Sequence, residues 1–371
     1  MSTSKKWSIL LIGLFGLLGE YSPADALGYF ISRQYMEPCE NGYGVCMSSI
    51  ECRIQKGRTL GACALGTCCR IEKTCNDVIT TNNTFFVNPS EIRPGSSCVV
   101  DVEKKWALES VCQMRLDLLK FEMGPANALS GICLHDAFTV VGVDRPVPTI
   151  CGRNDRQHLY VDVRNSRSIQ LMVNLGANST TRRWKIRVTQ IPCTSQRLAP
   201  TGCLQYFEDS TGYLKSFGYD PVAESSTYPL GLSYFMCFRE PCQLQLSQVG
   251  PFELGEKADQ NPANSIQDVQ VDAGCTVPTD PNVEARAYIQ IDNVRFCGKR
   301  FIRTFKTQNP ILAINFVSPM RERDRKENQV FKGFNIQYQQ TCSTVNGSFS
   351  ADSVAELGPT FTLTIPIPEP Q

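Results

Sequence analysis

Histidine is nearly absent: the 371 residues include only His135 and His158. Any Ser-His-Asp arrangement has to use one of these two, and no G-x-S-x-G turn or Gly-Asp-Ser-Gly stretch accompanies them. Charge of one sign is also missing. The 37 basic and 36 acidic residues leave a net +1, which gives no electrostatic footprint for nucleic acid. Beyond the first residues no apolar run approaches the roughly 20 residues of a spanning helix. No window carries a long 3.6-residue period, so helices have little support.

Cysteine is what the chain has in quantity. There are eighteen, an even number, and all follow residue 26. The N-terminus reads as a secretory signal over residues 1–26: Lys5 and Lys6, the apolar core "WSILLIGLFGLL", and Ala24-Asp25-Ala26 as a small-x-small cleavage site. A secreted, extracellular protein meets an oxidising environment, so disulfides are expected throughout. Three N-glycosylation sequons begin at Asn82, Asn178 and Asn346. The end of the chain, residues 343–371, closes on "FTLTIPIPEPQ". It is broken by Pro366, Pro368 and Pro370 and reads as a flexible tail with no membrane anchor.

Six cysteines crowd into residues 39–69, a glycine-rich segment with few large apolar side chains. A piece this small cannot bury a sufficient core and needs cross-links to hold its shape. The adjacent Cys68 and Cys69 do not readily bond each other, so the segment has to fold back on itself as a knot. The other twelve cysteines fall into an internal repeat. "CQMRLDLLKFEMG" from Cys112 aligns with "CQLQLSQVGPFELG" from Cys242. Cys151-Gly152 matches Cys297-Gly298, and "WKIRVTQIPC" matches "FNIQYQQTC". The copies span 75–193 and 203–342, joined by the short polar linker "TSQRLAPTG".

Within each copy the period is two. Trp184, Ile186 and Val188 alternate with polar residues, as do Leu159, Val161 and Val163, and Leu312, Ile314 and Phe316. Many short strands punctuated by Gly, Pro and Asn give an all-β fold: two β-sandwiches preceded by a small disulfide-rich knot.

In the first copy Asp136 lies three residues after Cys133, and Gly152 directly follows Cys151. This spacing resembles the CUB domain. In the second copy "YIQI" before "FCG", and "NFVSP" followed by Gly333-Phe334, resemble that family's closing segments. The N-terminal knot is similar to the clip-like modules of arthropod secreted proteins, and the whole chain to a clip-like module followed by two CUB domains. The resemblance implies jelly-roll sandwiches and the bridges Cys75–Cys98, Cys133–Cys151, Cys203–Cys237 and Cys275–Cys297. Cys112, Cys193, Cys242 and Cys342 remain, and their recurrence suggests an extra bridge in each copy from an early strand to the last one. Cys237 and Cys242 also stand close enough to pair across a hairpin. The resemblance further implies calcium as a cofactor of the first copy. Glu122 and Asp136 are its metal ligands in that case, although the late loop offers no third carboxylate. The alternative is that both simply accept hydrogen bonds from loop backbone.

Catalytic residues: none are assigned. A thiol nucleophile conflicts with the expected Cys133–Cys151 bridge, and a zinc site lacks ligands once the cysteines are oxidised. The run "RERDRKENQ" at 321–329 reads as a solvated loop. Together these features describe a secreted, non-enzymatic recognition protein that binds extracellular proteins or glycans. The alternative is a regulator of an extracellular protease cascade.

Overall fold

A computed structural model describes residues 38–64, 66–104, 110–177, 181–255, 270–271, 275, 286–299, 301, 304–320 and 330–342. The expected signal peptide, the tail 343–371, the run 321–329 and the sequons at Asn178 and Asn346 lie outside the described residues.

The N-terminal segment is a four-stranded sheet in the order β1-β2-β4-β3: β1 (Pro38–Cys39), β2 (Gly44–Met47), β3 (Arg58–Cys63) and β4 (Gly66–Arg70). One short helix, α1 (Ser49–Ile54), starts where Ser48 caps the Glu51 amide at 3.1 Å. Bridges Cys39–Cys68, Cys46–Cys63 and Cys52–Cys69 hold it. The adjacent Cys68 and Cys69 therefore reach different partners. Its own apolar core is only Val45, Met47, Cys52, Cys69 and Ile71, so the bridges carry the shape.

Residues 72–192 form the first sandwich. One sheet has the order β10-β12-β8-β6: β6 (Val78–Ile79), β8 (Ser97–Glu103), β10 (Asp136–Val141) and β12 (Ser168–Leu175). The other is β11-β9-β13-β7-β5: β5 (Glu72–Lys73), β7 (Thr84–Val87), β9 (Val111–Glu122), β11 (Gln157–Asp162) and β13 (Arg183–Pro192). Inward positions alternate as a half-buried strand requires. Trp184, Ile186 and Val188 on β13 and Met114, Leu116 and Leu118 on β9 are all buried in the space between the sheets.

The second sandwich runs from β14 (Cys203–Phe207) and β15 (Thr211–Lys215) through β16 (Ser233–Gln248) and β17 (Gln270–Val271). It continues with β18 (Tyr288–Ile291), β19 (Val294–Cys297), β20 (Thr304–Lys306), β21 (Ile311–Val317) and β22 (Asn335–Thr341). β16 serves both layers. Its first half pairs with β14 and β21, and its second half pairs with β20 and β22. The register shifts between Cys237 and Cys242, around the exposed Arg239, Glu240 and Pro241, and such a shift lets one strand turn from one sheet to the other. Cys237 and Cys242 thus lie on one strand rather than across a hairpin, and they bond Cys203 and Cys342 respectively. The same shift exposes Leu312, at 37%, while Ile311 is buried instead. That overturns the expected common face of Leu312, Ile314 and Phe316.

The remaining bridges are Cys75–Cys98, Cys133–Cys151, Cys112–Cys193 and Cys275–Cys297. Cys112–Cys193 ties β9 to the end of β13, and Cys242–Cys342 ties β16 to the end of β22, so the two sandwiches repeat the same staple.

Asn82, the first of the expected glycosylation positions, stands just before β7. It is 5% exposed, and its Oδ1 accepts from the Gln190 amide at 2.7 Å and the Asn83 amide at 2.9 Å. Through these bonds its side chain braces the start of β7.

Candidate functional site

Two regions concentrate polar chemistry: the loop end around Asp136, and the seam where the two sandwiches meet. Asp136 begins β10 and is fully buried. Its carboxylate accepts from the Gly124 amide at 2.8 Å, the Gly176 amide at 3.0 Å, and Arg182 Nε and Nη2 at 2.9 and 2.7 Å. Burial alone would raise this carboxyl. The Arg182 and backbone hydrogen bonds outweigh it and hold the group below the usual carboxylate value. Gly176 is required here, because a Cβ would stand 2.6 Å from the His135 carbonyl oxygen.

Glu122 does not join Asp136. Its carboxylate lies near Lys120 at 3.5 Å and Arg183 at 3.3 Å. CUB domains often bind calcium, but these two residues do not fit an ion in this arrangement. A calcium shell needs several converging oxygens, and the charge facing Asp136 is the guanidinium of Arg182, 3% exposed. Each of the two carboxylates expected to hold calcium thus faces cations of the chain, Asp136 facing Arg182 and Glu122 facing Lys120 and Arg183. The fit fails because a cation from the chain already stands against the carboxylate. Nothing in the sequence singles out Arg182, which lies in an unremarkable "TTRRW" run after a sequon.

The seam is built on β11. Leu159, Val161 and Val163 face the first core as expected, yet the opposite face is buried too. His158 and Tyr160 meet Tyr206 and Phe207 of β14 in edge-to-face contacts with ring centroids 5.1–5.7 Å apart. His158 Nε2 accepts from the Tyr206 amide at 3.0 Å. Burial, reinforced by Arg115, brings the imidazole down to about 3, so it is neutral and engaged as an acceptor. Gln157 reaches the Ser216 carbonyl at 3.3 Å, and Asn154 accepts from the Gly218 amide at 2.8 Å. Gly152, the glycine after Cys151, packs so that its Cβ would lie 3.3 Å from Gly218 Cα. Even the linker is held: Gln113 donates to the Ala199 carbonyl and accepts from its amide, at 2.9 and 2.8 Å. The expected polar tether is a fastened segment.

Beside the seam, a carboxylate–guanidinium group fills the outer face of the five-stranded sheet. Asp117 accepts from Arg115 at 2.8 Å and from Arg187 at 2.9 Å, and Arg187 also donates to the Gly42 carbonyl of the N-terminal segment. Burial would raise Asp117, but the two arginines prevail and lower it.

In the second sandwich, residues 200–341 match the family described as the animal CUB domain. Residues 200–341 are a CUB domain. No curated protein matches the chain. Among solved structures, the CUB1-EGF-CUB2 domains of rat MASP-1 are similar over 71% of this chain and 99% of theirs, at 12% identity and a TM-score of 0.26. The CUB1-EGF-CUB2 domain of human MASP-1/3 is similar over 69% and 98%, at 13% identity and a TM-score of 0.23. A CUB domain and nine disulfides point to an extracellular protein with a protein-interaction role. No described helix is long and apolar enough to cross a membrane. In the CUB domain, Glu253 accepts from the Lys332 amide at 3.0 Å, and Ala287 is fully buried.

Sequence reasoning passed over a third feature of this region. Leu129, Ile132 and Leu134 are 61%, 48% and 60% exposed on the loop before β10. That loop is nevertheless rigid. Asn127 Oδ1 accepts from the Leu129 and Ser130 amides, the Cys133–Cys151 bridge closes it, and the Gly131 carbonyl accepts from the Leu230 amide of the CUB domain at 2.8 Å. The leucines were visible in "ALSGICLHD", but the cysteine, histidine and aspartate beside them drew the chemical reading.

Proposed function

We propose that the chain is a secreted, non-enzymatic recognition protein of the arthropod clip-plus-CUB kind, and that its first sandwich is a second, diverged CUB domain. The repeated staple and strand order support the second part of this reading. The protein binds an extracellular protein partner through the loop that carries Leu129, Ile132 and Leu134. The observation behind this is the combination of exposure and rigidity. Three large apolar side chains within six positions are held outward by a disulfide, an asparagine turn and a bond to the neighbouring domain. Exposed apolar groups on a preorganised loop lose little conformational freedom on binding, which is what a protein-docking anchor needs. Met320, 71% exposed, lies against Gly231 beside Leu230 and extends the apolar surface onto the CUB domain.

The test is cross-linked capture from extracellular fluid, comparing the wild-type chain with Leu129→Ser/Leu134→Ser. We expect a protein held by the wild type and lost by the variant, with both melting at the same temperature. Identical captured sets from the two chains would sink the reading. A protease or its cofactor as the lost partner would give the narrower form, regulation of extracellular proteolysis.

A further inference from the structure

On the other side of the seam the two sandwiches enclose a cleft of about 700 Å³. Its walls hold four cations, Arg115, Arg156, Arg197 and Lys215, against two carboxylates, Glu208 and Asp209. Two of the cations are already satisfied. Arg115 bonds Asp117 and the Tyr160 hydroxyl, and Glu208 lies 3.8 Å from Arg115 and 3.3 Å from Arg197. Arg156 and Lys215 are different: among the described residues no carboxylate stands within 4.0 Å of either. Asp155 acts on Lys215 as a counter-charge, but its oxygens are taken by Lys120, Arg153 and the Phe121 amide. Burial, then the neighbouring Arg156, press the Lys215 ammonium below the ordinary lysine value. Two like charges from different domains therefore face one cleft, and neither is in contact with a described carboxylate.

We propose that this cleft binds a glycan bearing an acidic sugar, with the acid group held between Arg156 and Lys215 and the sugar ring resting on Tyr213. Tyr213, 53% exposed, sits two residues before Lys215 on β15 and offers an open aromatic face. The walls also contain amide oxygens that accept no hydrogen bond, Gln205 Oε1 and Asn335 Oδ1, and Asn335 lies directly across from Lys215. Buried acceptors without donors are uncommon. Sugar hydroxyls supply donors, through a bridging water where the oxygen is covered, whereas an inorganic anion supplies none. Glu208 and Asp209 disfavour a densely sulfated strand or a run of acidic peptide side chains, so a single acid group among hydroxyls fits best. The volume is that of an ordinary small-ligand site, typically about 300–1,000 Å³. The cleft is separate from the apolar loop, and the inference stands independently of the protein-docking reading.

Isothermal titration of the full mature chain tests it. The probes are short oligosaccharides ending in glucuronate or sialate, their neutral counterparts, and a tetraglutamate peptide. We expect an acidic oligosaccharide to bind while its neutral counterpart and the peptide do not. Lys215→Gln and Arg156→Gln should each weaken binding about tenfold or more, the range for a lost charge-assisted hydrogen bond. Leu129→Ser/Leu134→Ser should bind the sugar as the wild type does. The inference is overturned if no acidic oligosaccharide binds, if the neutral form binds equally, if the peptide binds as tightly, or if both charge variants, melting normally, bind unchanged.

Discussion

A carboxylate taken fully out of water must be protonated or matched by a positive charge. At Asp136 the match is covalently part of the chain, since Arg182 meets it with two hydrogen bonds and neither side chain is appreciably exposed. Arg182→Met would strand the carboxylate, and a buried pair broken this way costs about 3–5 kcal/mol. Chemical denaturation should show the loss as a lower midpoint. Any calcium response of melting should be the same in the wild type and in Asp136→Ala, and a calcium-dependent rise that this variant abolishes would mean that an ion displaces Arg182. His158 makes a second residue-level prediction. Its folded value of about 3 lies below the ordinary imidazole value of 6.5, so the unfolded chain takes up the proton first as pH falls. The stability it contributes is complete above about 6.5 and is lost progressively toward 3. Melting temperature measured across this window should fall, and His158→Gln, which keeps an acceptor for the Tyr206 amide, should flatten the slope. An unchanged slope in the variant would assign the acid sensitivity elsewhere.

Among the elements, β9 with β13 and β16 with β22 are each closed by a bridge between residues far apart in sequence, 81 for Cys112–Cys193 and 100 for Cys242–Cys342. In the chain-entropy view a loop of about 100 residues is worth roughly 4.7 kcal/mol. Replacing both Cys112 and Cys193 by alanine should therefore lower stability by about 4 kcal/mol, read from urea unfolding, with little change in the native circular dichroism spectrum. Strand alternation made the inward faces of β11 and β13 readable from sequence, because a sheet face against a core selects every second residue. It could not reveal that β11 is covered on both sides. His158 and Tyr160 look like an ordinary polar face, and only the position of β14 shows that they are buried. Leu312 misled for the opposite reason, since a register shift in its partner β16 broke the period.

For the molecule as a whole, the matching cysteine orders of the repeat lead to matching bridges, Cys112–Cys193 and Cys242–Cys342. The candidate sites were less readable. They depend on residues brought together from both sandwiches, Arg156 with Lys215 and Gly131 with Leu230, and no spacing along one strand encodes such a pairing. The Asp136 environment was half read, with the aspartate visible but its arginine partner 46 residues away in sequence.

The staples also decide what becomes of a cut chain. A protease cleaving once anywhere between Cys112 and Cys193, or between Cys242 and Cys342, opens a peptide bond inside a covalent ring, and both pieces stay attached. Such nicks would go unseen on a non-reducing gel and appear only after reduction. A cut in the linker from 194 to 202 is different, because no bridge crosses it and the two sandwiches would then be held by the seam alone. In a protease-rich fluid, damage to most of this protein's length releases no fragments, and the linker pinned by Gln113 is one of the few places where a single cut can divide it.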